Sequence, residues 1–272
     1  TPVITAMLNN NRLSDIVSMQ KATGTTTYRY DKTYMQVSDK FVESIASVTQ
    51  NAFPYNNTPD SVFYELYDPS NANLLQYRTR SIRTSAIWDY NGQYVIAEVK
   101  NADYSSIAFS SFEADGKGNW TYTGIPVADV TAPTGARCYN LSAGNITKAG
   151  LNTAKSFVVS YWSKNGSATV NGATVSGQVT KRGWTYYEHS LPAGASSVTV
   201  SGAVTIDELR LYPSDAQMTT YTYMPLVGMT TSCDVSNRIS YYEYDVMRRL
   251  KDLKDQDGNI IKTYDYHYQQ QP

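Results

Sequence analysis

Between Tyr241 and Tyr268 an aromatic two-residue period alternates with turn-forming residues, a combination that antiparallel strands satisfy and a helix does not. Tyr242, Tyr244 and Val246 recur like one strand face and Leu250 and Leu253 like the next. Asp257-Gly258-Asn259 supplies the positive-φ residues that a tight hairpin turn needs. The rest of the chain keeps the bias, for its 272 residues hold 24 Tyr against 6 Phe and 4 Trp. Thr, Ser, Val and Asn are frequent and long windows of helix formers are missing, so the fold class reads as all-β.

Similar units occur earlier. Tyr28-Arg29-Tyr30-Asp31 repeats the aromatic pair, and Tyr34 to Val37 continues its strand. A segment from Phe41 to Val48 alternates polar and apolar residues, and the Pro/Asn-dense text over 51–60 reads as a loop. Val62 to Asp68 and Leu74 to Tyr77 flank an Asp/Pro/Ser/Asn turn, and Ala86 to Tyr90 and Gln93 to Val99 flank Asn91-Gly92, a strong type I′ signal. Only residues 1–23 give no clear pattern, reading either as a strand pair or as a poorly ordered lead-in. The succession Tyr-Xaa-Tyr-Asp, Arg-Leu, Asp-Xaa-Asp-Gly-Asn-Ile, Tyr-Xaa-Tyr over residues 242–266 resembles a unit of the YD-repeat, or rearrangement-hotspot (RHS), family. That resemblance implies a segment of a large secreted or cell-surface bacterial protein with a structural role. The family's closing Asp-Pro-Xaa-Gly-Leu motif, where its self-cleaving aspartates act, is absent from this sequence.

From about residue 104 the texture changes to Gly/Ser/Thr/Ala-rich text with isolated aromatics, and short strand signals come every eight to twelve residues. The block over 104–213 resembles the galactose-binding-like jelly roll of many carbohydrate-binding modules. The marks are Ser111-Phe112-Glu113, Asn119-Trp120, Ser160-Tyr161-Trp162, Gly183-Trp184 and the closing run Ile206 to Leu211. Tyr-rich text resumes at Met218, with a turn over 225–228 and strand text from Met229 to Cys233. The expected organisation is a YD-like hairpin array over 1–103, a β-sandwich over 104–213 inserted into it, and a continuation of the array over 214–272. First and last strands of such a sandwich lie side by side, which lets it sit in a loop of another domain.

The 23 basic and 24 acidic side chains are interspersed and leave a net charge of −1, which removes the electrostatic footprint of a nucleic-acid or anionic-membrane partner. No apolar run approaches the ~20 residues of a membrane helix, and Thr1-Pro2-Val3-Ile4 lacks the regions of a signal peptide. The chain is expected to be a soluble piece of something longer, with the remainder of that polypeptide as a partner. Cys138 and Cys233 permit one disulfide or two buried thiols, and no metal-ligand spacing accompanies them.

No catalytic residue and no cofactor motif is assigned. His189 and His267 follow aromatic strand text and read as strand-surface residues, while Asp255/Asp257 fall in a turn and Asp207/Glu208 on a strand with one side chain in and one out. Sugars are held by flat aromatic faces ringed by hydrogen-bonding side chains, which makes Trp120, Tyr122, Trp184 and Tyr186 the ligand candidates. Trp120 and Tyr122, after the turn Gly116-Lys117-Gly118-Asn119, are the more exposed by position, and Trp162 and Trp184 compete as core residues. The jelly-roll resemblance further implies a structural calcium between first and last strands, with Glu113 and Asp207 at the matching positions. The functional expectation is a non-enzymatic scaffold or adhesive segment with a glycan as possible partner. The alternatives are a carbohydrate-binding module of a secreted polysaccharide-acting protein and a hydrolase using loop carboxylates.

Overall fold

The structure, a computed structural model, describes residues 2–267 apart from 11, 13, 14, 16, 24, 25 and 52–59. Most of the loop expected over 51–60 lies outside the described residues. Among the described residues the chain is all-β apart from one helix and two short 3-10 turns, and it forms two compact units, Thr1–Ala86 and Ile87–Pro272.

In the first unit a short helix α1 (Pro2–Asn9), with proline in its first turn where the missing N–H costs nothing, precedes a meander. Its strands are β1 (Ser18–Thr23), β2 (Thr26–Val37), β3 (Lys40–Asn51), β4 (Asp60–Tyr67), β5 (Leu74–Thr79) and β6 (Ile82–Asp89), each antiparallel to the next through β6. Tyr28-Arg29-Tyr30-Asp31 does not end in a turn. β-Formers continue past it, and Asp31 sits mid-strand, its Oδ1 accepting from Ser18 Oγ at 2.7 Å. The β4–β5 hairpin closes as expected, with Asp68 Oδ1 accepting from Ser70 N at 2.7 Å. Glu65 gathers Gln76, Arg78 and Arg83 from the neighbouring strands.

The second unit is built in three layers. β7 (Tyr94–Lys100) is followed by β8 (Ala108–Ser110), β9 (Val127–Ala128), β10 (Arg137–Asn140), β11 (Ile146–Ala149), β12 (Phe157–Lys164) and β13 (Thr169–Val170). Then come β14 (Thr180–Lys181), β15 (Trp184–Leu191), β16 (Ser197–Ser201), β17 (Thr205–Pro213), β18 (Gln217–Met224), β19 (Gly228–Cys233), β20 (Ile239–Tyr244), β21 (Leu250–Lys254) and β22 (Ile260–Thr263). Strands β14-β15-β12-β17-β10-β9, with β8 also on β17, make the central sheet, and β11-β16-β13 cover one of its faces. The hairpin strands run β7-β18-β19-β20-β21-β22, and β7, β18, β19 and β20 pack on the other face. β7 pairs with β18, Gln217 opposite Lys100, although the whole sandwich lies between them in sequence, and β8 pairs with β17. The texture changes near residues 104 and 213 therefore mark where the chain leaves and re-enters the hairpin sheet, and both fall inside the second compact unit.

Because the central sheet is covered twice, β12 and β17 bury residues on both faces, apolar for the most part, with Asp207, Glu208 and Arg210 of β17 as buried charged groups. Phe157, Val159, Tyr161, Tyr187 and Leu191 meet Ile146, Val170, Val198 and Val200 of the small sheet. The alternate residues Trp162, Trp184 and Tyr186 pack with Cys138 against Cys233, Ile239 and Tyr241 of the hairpin layer. Both cysteines are buried and free, so the thiol alternative holds. A bulge in β17 sets Glu208 and Leu209 opposite Tyr161 alone, with Glu208 at φ 55°. It lets Ile206 and Leu209, three apart, face the same core, and it buries Asp207 and Glu208 together, contrary to the in-and-out reading of that pair.

Arg210 ties the layers. Its Nη2 donates to Glu208 Oε1 at 2.8 Å, to Thr220 Oγ1 in β18 at 2.8 Å and to the Cys233 carbonyl in β19 at 3.2 Å. Burial pulls the guanidinium toward losing its proton, but the surrounding groups, Glu208 among them, hold it charged with its pKa raised. Asp207 is fully buried beside Glu208, and desolvation followed by that neighbouring charge raises its pKa well above the usual carboxylate range.

The hairpin layer repeats one turn chemistry. In Asp234–Arg238, Asp245–Arg249 and Asp255–Asn259 the Asp N–H donates to the carbonyl four residues on. The same Asp's Oδ1 accepts from the second and fourth following N–H groups. The fourth residue of each turn, Asn237, Arg248 or Gly258, is left-handed. The Asp after the Tyr pair is thus a turn anchor, and Val246, read as strand, lies exposed in the turn.

Candidate functional site

The expected sugar platform is not at the surface. Trp120, Tyr122, Trp184 and Tyr186 are 3, 5, 0 and 6% exposed. Trp120 and Tyr122 belong to the core between the central and small sheets, where Trp120 Nε1 donates to the Leu209 carbonyl at 3.4 Å and Tyr122 meets Phe112 and Tyr139 edge-on. Their turn folds inward because Gly118 packs its carbonyl on the Phe109 N–H and its α-carbon on the Phe109 backbone, where a Cβ would strike the carbonyl oxygen. Trp184 and Tyr186 are held under the hairpin layer, leaving beside Trp184 a crevice of about 20 Å³, room for about one water. These four residues are corrected from ligand contacts to core. His189 is likewise buried, bonded to Tyr161 Oη at 2.9 Å, and its pKa is lowered by desolvation, while His267 is exposed.

The calcium reading meets a similar obstacle. Glu113 Oε1 accepts from the Ala136 and Arg137 N–H groups. Both Asp207 oxygens are taken, Oδ2 by Thr134 N and Oγ1 and Oδ1 by Glu208 N. Donors therefore point where a cation would need further oxygens, and among the described residues no three His, Cys, Asp or Glu side chains cluster. Glu113 and Asp207 do not fit a six- to eight-oxygen cage.

What the fold does assemble is a cleft of about 620 Å³, formed where sandwich loops meet hairpin turns within the second unit. The turn after β6 contributes Tyr90, Asn91, Gln93 and Tyr94, and the turn after β18 contributes Tyr223 to Leu226. The segment after β8 brings Glu113 to Asp115, and the segment before β10 brings Gly135 and Ala136. The first turn is wider than the two-residue I′ form read from Asn91-Gly92. Tyr90, Asn91 and Gly92 are all left-handed, and Gln93 N donates to the Asp89 carbonyl. The cause is Asp89, whose buried carboxylate accepts from Tyr90 N at 2.7 Å and from Gly116 N at 2.8 Å. Gly116 must lack a side chain, since a Cβ there would stand 2.8 Å from that carboxylate.

Three tyrosines form the wall. Tyr94 and Tyr223 stack at 4.7 Å, and Tyr90 meets both edge-on at 5.6 and 5.9 Å. Tyr223 N donates to Tyr90 Oη, and Tyr223 Oη donates to the Val95 carbonyl, so the rings are fixed. Burial pushes the Tyr90 and Tyr223 phenols up to about 12, which keeps both protonated. The same cleft is lined by Glu113, half-buried, its pKa raised by desolvation against the pull of the two N–H groups from which it accepts. Gly135, at φ 62°, holds it there, because a Cβ would come within 2.2 Å of its carboxyl carbon. Aromatic faces, two carboxylates and two amides in one concavity suit a polyhydroxylated ligand with apolar C–H faces. No single stretch of sequence announced this site, and the only local hint was the conjunction of turn text with Tyr at 90–94 and 223–226.

No known protein family matches the chain by sequence, and no curated protein matches it. A solved structure with some similarity is the exo-β-1,3-galactanase of Phanerochaete chrysosporium with β-1,3-galactotriose, at 10% identity and a TM-score of 0.25. The match covers 72% of this chain and 56% of that one, so the chain spans little more than half that enzyme's length. A likeness this slight has no bearing on function. No described helix is long and apolar enough to cross a membrane.

Proposed function

We propose that the chain is a non-catalytic structural and adhesive segment of a large secreted or cell-surface bacterial protein of the YD-repeat type, and that its cleft holds a carbohydrate. The three Asp-anchored turns support the scaffold part, since each gives a short hairpin whose strands protect one another's edges. The observation that carries the binding part is that the mutually packed Tyr90, Tyr94 and Tyr223 line one preformed cleft with Glu113 and Asp115. A pyranose C–H face stacks on Tyr94, and its hydroxyls meet the carboxylates and amides.

The test is titration of neutral oligosaccharides onto the full chain by calorimetry. Tyr94→Ala is expected to weaken binding on the order of tenfold or more, while Trp120→Phe, a core change, leaves it intact. No new reducing ends appear on prolonged incubation. Binding that survives Tyr94→Ala and is lost with Trp120→Phe moves the site elsewhere, and released sugar replaces the reading with a hydrolase.

A further inference from the structure

The charge of the cleft narrows the ligand further. Its lining holds two carboxylates, Glu113 and Asp115, and two amides, Asn91 and Gln93, with no Lys, Arg or His among the described lining residues. Cations nearby lie outside this lining: Lys117 Nζ donates to the Tyr122 carbonyl at 2.6 Å, Arg137, whose charge reaches Glu113, donates from Nη2 to the Pro126 carbonyl at 2.8 Å, and Arg182 stands over the Tyr241 ring in an adjoining cavity. Glu113 Oε1 is occupied by backbone N–H groups, whereas Oε2 accepts no protein hydrogen bond among the described residues. Gly135 packs against the carboxyl group on its Oε1 side, where a Cβ would meet the carboxyl carbon and Oε1.

We infer that the cleft selects a glycan carrying free amino groups over neutral glycans, and excludes one carrying carboxylates. The inference rests on reading the cleft as a sugar site. An ammonium facing a desolvated carboxylate gains more Coulomb attraction than it would in water, and the electron-rich faces of Tyr94 and Tyr223 act in the same direction. A uronate would instead bring a third negative charge beside Glu113 and Asp115, where no lining side chain is cationic. The exposed rim of Met224, Pro225 and Leu226 covers the apolar edge of the sugar ring and carries no charge that would alter this preference.

Three oligosaccharides of equal length distinguish the outcomes: a glucosamine oligomer, its fully N-acetylated form and an oligogalacturonate. Each is titrated onto the full chain at low salt, at a pH where the amine is protonated, with oligolysine as a charge control. The glucosamine oligomer is expected to bind on the order of tenfold more tightly than the acetylated form, with no binding of the uronate. Added salt narrows the gap, and Glu113→Gln, which keeps an Oε1 acceptor for the Ala136 and Arg137 N–H groups, removes most of it and weakens the acetylated chain less. Equal or tighter binding of the acetylated form overturns the inference and leaves the sugar site standing, as does preference for the uronate. Oligolysine binding as tightly as the glucosamine oligomer shows a site for cations in general and overturns it as well. Failure of all three glycans removes the sugar site itself.

Discussion

Strands β2 and β3 of the first unit and strands β12 and β17 of the second are drawn from similar vocabularies, yet their surroundings differ. In β2 the tyrosines at 28, 30 and 34 are half-buried and Met35 is exposed, so one layer of strands shields them only in part. β12 and β17 carry buried residues on both faces because a sheet covers each side. Alternating aromatics thus mark a strand, and coverage decides whether its residues become core. The small sheet turns Trp120 and Tyr122 into core, and the hairpin layer does the same for Trp184 and Tyr186. With that layer in place, tyrosines at the layer edge, Tyr94 and Tyr223, keep faces toward the cleft.

Truncations should separate the two regions most sharply. Trp162→Ala is expected to cost about 3–5 kcal/mol in denaturant unfolding, since a fully enclosed ring leaves a cavity, and Met35→Ala within about 0.5 kcal/mol of zero, as for an exposed side chain. Similar losses would mean that the faces are not differently covered. Ion pairs give a second contrast. Arg210→Ala strands a buried Glu208 and should cost about 3–5 kcal/mol. Glu65→Gln in the first unit, whose partners Arg78 and Arg83 are a third to a half exposed, should cost under about 1 kcal/mol.

Protonation separates the two layers within the second unit. Asp207 has its pKa raised by burial, so the folded state favours its protonated form. Its favourable contribution is complete below the unfolded value of about 3.9 and is lost as pH rises toward the folded pKa. The stability of wild type relative to Asp207→Asn should therefore fall as pH climbs above about 4. Asp245 has its pKa lowered, chiefly by the Arg249 N–H. Its contribution is present above about 4 and disappears as pH falls, so wild type relative to Asp245→Asn should follow the opposite slope. Parallel slopes would contradict both assignments. The smallest effect concerns the left-handed turn position: Arg248→Gly should gain about 0.5–1 kcal/mol, read as a higher unfolding midpoint.

Much of the fold was written locally. The β4–β5 hairpin, the β18–β19 pair with its turn near 225–228, and the Asp-anchored turns all follow from residues close in sequence. The bulge in β17 was not legible, because Glu208 carries no sign of a left-handed backbone and only the two sheets on β17 demand it. Nor was the burial of Trp120 visible, for it depends on Gly118 seating against Phe109. The cleft joins four separated turns, and pairing of β7 with β18 is part of what brings them together.

That pairing makes the sandwich and the hairpin layer a single cooperative body, which native-state hydrogen exchange tests most directly. Amides of β12 and β17 and those of β18 and β19 are expected to open with one common, global free energy that falls together in Arg210→Ala. Protection of β12 and β17 alone, with β18 and β19 exchanging through a separate, cheaper opening that Arg210→Ala does not change, would contradict it.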